Sequence, residues 1–210
     1  MEMKTSNKAM ALISHPDQDA GWLPDERTGT PGWIFFHGPA VACADRSEGA
    51  ANRGAPDEQV VCSASWQRRF DRPVEAPFRP GSLTEFWHRL QLAERVWSSG
   101  WSPVRANWLV RVALPACPRW QRELLELVLA GASLDLPLSV CFEGPGLVRL
   151  RGQTASAWAQ LADQGLAAML ACPHDADSAE LPAFVEPIDA ADREARVGQS
   201  GVLRVGEFPP

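Results

Sequence analysis

The chain reads twice, and that repetition limits what it can fold into. Residues 33–41, WIFFHGPAV, and residues 139–147, SVCFEGPGL, each carry a hydrophobic run, one polar residue and then Gly-Pro. Three further pairs keep the same order: AMALISHP (9–16) with WLVRVALP (108–115), QVVCSAS (59–65) with AMLACPH (168–174), and AERVWSSG (93–100) with SGVLRVGE (200–207). Four correspondences in one order imply a repeated unit of about 100 residues, the size of a small α/β domain. We therefore expect two tandem units, residues 1–100 and 107–210, with SSGWSPVRA (98–106) as the linker.

The second copy is the more legible. WLVRVAL is a short apolar run suited to a buried strand, PRWQRELLELVLAGASL has helical periodicity with proline near its first turn, and LPLSVCF is a second strand. TASAWAQLADQGLAAML predicts another helix running into a strand that ends at Cys172, and GVLRV is a terminal strand. Strands alternating with helices predict an α/β fold with mostly parallel sheets and flanking helices. The first copy is abbreviated: residues 17–32 and 46–58 are rich in Gly, Pro and charge and read as loops where the second copy has helices. Helical signal returns at GSLTEFWHRLQLAERV (81–96), where Ser82 and Glu85 form a capping box. One sheet face of the first unit is thus expected to lack its own cover.

Composition narrows the class. With 45% apolar and 22% charged residues the chain can bury a core, and a net charge of −6 with a pI near 5.3 argues against a broad nucleic-acid-binding surface. No apolar run is long enough to span a membrane and the N-terminus lacks a signal-peptide pattern, so a cytoplasmic location is expected. Five cysteines without a CxxC, an odd number, suggest free thiols.

The stretch VCSASWQRRFD (61–71) carries the chemistry. Cys62 closes an apolar run and is expected at the C-terminal end of a parallel strand, where open α/β sheets present reactive groups. A thiol acts as nucleophile through its thiolate, and Arg68 and Arg69, returning toward the sulfur from a turn or short helix, would favour that form. Against this stands the packing role that a cysteine at a strand end most often has.

The segment Cys62 to Arg69, C-S-A-S-W-Q-R-R, resembles the active-site segment of the TusD/DsrE family of sulfur carriers, and IFFHGPAVACAD and FRPGSLTEFWHRLQLAERVWSSG resemble its flanking elements. Residues 108–153 and PAFVEPIDAADREARVGQSGVLRV resemble the companion TusC/DsrF family. The resemblance implies a fusion of two DsrE/F-like halves that takes up sulfane sulfur as a persulfide on Cys62, with Arg68 and Arg69 holding the anion or serving the partner surface. It implies no metal and no organic cofactor. Its partners would be sulfur-donor and sulfur-acceptor proteins and other DsrE/F/H-like subunits in an oligomer, without direct nucleic-acid or membrane contact. The sulfur would go toward 2-thiouridine in tRNA or, alternatively, through bacterial sulfur oxidation.

Other residues carry weaker signals. Cys172 repeats the Cys62 position with His174 two residues on, a second sulfur site or a structural cysteine; the pair alone is a poor zinc site. Cys43 could be a resolving thiol for Cys62, in a redox protein. Cys117 and Cys141 look like packing residues. His37 and Glu143 stand at matched places before Gly-Pro, as lining of a site or as turn residues, and His15 and His88 have no evident partner in the sequence. A scaffold with inert thiols, its tryptophans building an oligomer interface, is the reading from a different class.

Overall fold

Eleven strands form two sheets in the computed structural model, which describes residues 9–14, 31–46, 58–113, 117–173 and 181–206. The chain divides into two compact units, Met1–Val104 and Arg105–Pro210. In the first, β1 (Ala9–Ile13), β2 (Trp33–Phe36), β3 (Glu58–Cys62), β4 (Arg79–Gly81), β5 (Arg95–Trp97) and β6 (Trp101–Pro103) lie in the order β4-β3-β2-β1-β5-β6. All neighbours pair parallel except β5 and β6. In the second, β7 (Trp108–Val112), β8 (Leu138–Glu143), β9 (Ala168–Cys172), β10 (Val185–Pro187) and β11 (Gly201–Val205) form an all-parallel sheet in the order β10-β9-β8-β7-β11.

The first five strands of each unit therefore take the same order, with the fifth added on the far side of the first. The four sequence correspondences fall on the first, second, third and fifth strands of each sheet. The turn after the second strand is also shared: His37 (φ −132°, ψ 153°) and Glu143 (φ −135°, ψ 146°) each precede a 3-10 turn opening with Gly-Pro. Gly38 and Gly144 take φ of 60° and 46°, the left-handed region that glycine enters without a Cβ clash.

The first unit is less bare than its sequence predicts. On one face, α3 (Leu83–Leu92) packs Phe86 against Phe35, ring centroids 5.1 Å apart, and Ser82 caps the helix by accepting from the Glu85 N–H at 3.0 Å. On the other, Val61 packs with Val41 and Ala44 of α1 (Val41–Arg46), with Trp66 of α2 (Ser63–Gln67), and with Phe70, Val74 and Phe78. Aromatic residues of the irregular stretch after α2 fill this face, a part whose sequence has no apolar period. Residues 17–30 and 47–57 of the expected loops lie outside the described residues, and Arg46, expected in a loop, ends α1. The expected linker is corrected as well: Trp101–Pro103 is the antiparallel edge strand β6, with the Arg95 guanidinium 4.2 Å from the Trp101 ring centre.

In the second unit, α4 (Pro118–Ala132) and α5 (Gly152–Asp163) follow the predicted helices, and Trp158 of α5 meets Phe142 edge-on at 5.0 Å. The opposite face buries Leu109, Cys141, Leu170 and Ile188 with Val197 of α6 (Ala190–Gln199), a helix capped by Asp189. No described helix is long and apolar enough to cross a membrane.

Candidate functional site

The C-terminal ends of parallel strands expose unpaired backbone groups and gather loop residues, which is why α/β sheets place chemistry there. In the first unit this edge carries Cys62 at the end of β3, His37 after β2 and Ser14 after β1. They are 2%, 3% and 1% exposed. The β2–β3 register ends with Phe36 opposite Val61, and the residues that follow, His37 and Cys62, lie at the same end of neighbouring strands about 4.8 Å apart. The Gly38 N–H donates to Ser65 Oγ at 3.1 Å in a buried bond, tying the turn after His37 to the helix that follows Cys62. Ser63 Oγ donates to the Gly81 carbonyl at 3.1 Å, fastening the same helix to β4.

Arg68 and Arg69 sit at the far end of α2. A helix rises about 1.5 Å per residue, which carries Arg68 about 9 Å along the axis from Cys62. The Arg68 N–H closes the helix on the Ala64 carbonyl, and Arg69 turns its guanidinium back one turn to donate to the Ser65 carbonyl at 2.9 Å. Both side chains are half-buried. Cys43 is on α1 and half-buried, and His88 is exposed on α3.

No family model, no curated protein and no solved structure matches this chain.

The matched edge of the second unit is built differently. Cys172 ends β9 directly opposite Glu143 of β8, and it is half-buried. Glu143 accepts from Arg111 Nε and Nη2 at 2.6 and 2.8 Å and from Arg193 Nη1 of α6 at 3.1 Å. The bonds Arg111 donates to Glu143 outweigh burial and raise the Arg111 pKa. Cys141 lies on the same face, and burial first, then the Glu143 charge, pushes its thiol up to about 12. Sequence reasoning missed the role of Arg111 and Arg193: the two lie 32 and 50 positions from Glu143, and only the sheet brings them together. The signal for Glu143 itself was its match to His37.

Cys117 precedes α4 and is half-buried, whereas Arg149, fully buried in the turn after β8, donates to Gln121 Oε1 at 2.6 Å; burial lowers its pKa. Among the described residues no group of three His, Cys, Asp or Glu is placed to hold a metal ion. His15 and His174 lie outside the described residues.

Proposed function

We propose that the chain is a cytoplasmic sulfur carrier of the TusD/DsrE and TusC/DsrF type, loading sulfane sulfur on Cys62 and passing it to an acceptor protein on the way to thiolated tRNA. The observation that carries this reading is the position of Cys62, the last residue of an inner parallel strand, at the sheet edge where such folds do chemistry. Loading is an exchange: the Cys62 sulfur bonds to the outer sulfur of a donor persulfide, the donor S–S bond breaks, and its electron pair leaves on the donor thiolate. Burial shelters the product from reductants, and handing it on requires α2 to move. Arg69, folded back to the first turn of α2, and Arg68 beside it would hold the anion or meet the partner as that helix opens.

The second reading is a scaffold whose thiols are packing groups, and the 2% exposure of Cys62 favours it. Intact mass after incubation with a cysteine desulfurase and cysteine decides between them. A gain of about 32 Da, lost in Cys62→Ser and kept in Cys172→Ser, is expected of the carrier. No gain in the unaltered chain leaves the scaffold.

A further inference from the structure

The starts of the second unit's strands, at the edge away from Cys172, leave space that their side chains do not fill. Strand alternation puts Leu109, Ser139 and Ala168 on one face with Cys141 and Leu170, the face that α6 covers. Ser139 and Ala168 stand directly opposite each other, and both are small. α6 crosses this face with Arg193 bonded to Glu143 at one edge and Val197 packed on the Leu109 and Leu170 cluster farther along. Ala168 is exposed although β9 is an inner strand, between β8 and β10. A Cβ added at Gly165, in the turn before it, would meet nothing within 4 Å. What remains is a cleft of about 390 Å³, within the size range of small-molecule sites. Along β9, at about 3.3 Å per residue, Ala168 lies about 13 Å from Cys172.

The lining selects among ligands. Leu109, Leu136 and Leu166 give the cleft an apolar side, while Ser139, Gln199 and Arg196 bring hydrogen-bond donors. Arg196 is the single charged side chain among the described residues that line it, in a chain of net charge −6. Its Nη2 donates to Glu186 Oε1 at 2.7 Å, in a pair whose side chains are 38% and 58% exposed. Water screens such a pair, and a guanidinium carries five N–H donors, so a second carboxylate can share it. α5 and α6 both end at this edge, at Asp163 and Gln199, and the partial negative charge of helix C-termini disfavours a multiply charged anion such as phosphate. We propose that this cleft binds a small amphipathic monocarboxylic acid, its carboxylate on Arg196 and its apolar part over the Ser139 and Ala168 floor. The site does not depend on the sulfur-carrier reading.

The test uses the full chain, N-acetylleucine as probe and N-acetylleucinamide as its neutral isostere, followed by ¹H–¹⁵N spectra. The acid is expected to bind saturably with a Kd of about 1–5 mM, the ordinary ligand efficiency for a molecule this small. It should move the amide resonances of Ser139 and Ala168 and leave that of Cys172 in place. The neutral amide should bind roughly tenfold more weakly, a preference that Arg196→Gln removes. Ala168→Leu, which fills the floor, should abolish binding of both. No saturable shift at Ser139 and Ala168 up to about 50 mM overturns the site. Equal binding of acid and amide overturns the role of Arg196 and with it the carboxylate class. Undiminished binding to a folded Ala168→Leu puts the probe elsewhere and overturns the cleft. Should either variant not fold, the acid and amide comparison and the position of the shifts in the unaltered chain decide.

Discussion

Glu143 gathers two guanidiniums onto one carboxylate, and its side chain and that of Arg111 are only 11% and 12% exposed. Removing the carboxylate leaves Arg111 charged and half-enclosed, so Glu143→Ala is expected to lower stability by about 3 kcal/mol. Urea denaturation followed by tryptophan fluorescence measures this, and a change under about 0.5 kcal/mol would show that water had replaced the carboxylate. At the same face, Cys141 with its pKa near 12 should stay unmodified by a disulfide reagent in the native state at neutral pH, while half-buried Cys172 reacts. Thiol counting by mass separates the two. At this scale the sequence was informative about position and poor about exposure. QVVC reads equally as a reactive strand end and as core, because an apolar run fixes the strand and says nothing of what covers its last residue. The arginine pair shows the same gap between position and contact: α2 is helical, and its axis carries Arg68 about 9 Å from the thiol that precedes it.

Capping and turn chemistry act at the scale of elements. Ser82→Ala removes the acceptor of the Glu85 N–H and is expected to cost about 1 kcal/mol, read as a shift in the urea midpoint at constant slope. Gly38 and Gly144 hold the same left-handed turn, and alanine at either position should cost about 1 kcal/mol or more. The long helices α3, α4 and α5 were legible because each spans enough residues to show a 3.6-residue apolar period. The predicted helix over 81–96 proved shorter, since Arg95–Trp97 pairs with β1 and leaves the helix after Leu92. The three-residue strands β4, β6 and β10 were not legible. Alternation cannot be seen in three residues, and these are strands only because a longer neighbour supplies the hydrogen bonds.

Charge and topology belong to the whole molecule. Glu58 carries the clearest acid-sensitive contact: burial opposes ionisation, yet hydrogen bonds from Arg79 and Arg89 hold its carboxyl below the ordinary value of 4.5. Such a group adds stability that is complete above 4.5 and is lost as pH falls through its lower folded-state value. Thermal midpoints should therefore drop on acidification below 4.5 less steeply in Glu58→Gln than in the unaltered chain; equal slopes would remove Glu58 from the account. With a net charge of −6, the chain is expected to leave the gel mobility of tRNA unchanged at about 0.15 M salt. The repeat was readable from four short matches. The shared strand order was not, because order depends on which side of the first strand the fifth is added, a choice made by packing and handedness and carried by no local motif.

The shared Gly-Pro turn has a consequence for how such a molecule could be remade. Backbone shape there is set by glycine and proline, so the residue just ahead, His37 in one half and Glu143 in the other, is a socket whose occupant can be exchanged with the mainchain undisturbed. A library confined to those two codons would sample proton donors, acceptors and ion-pair partners ahead of the same turn, with exchanges of Glu143 also giving up its two ion pairs.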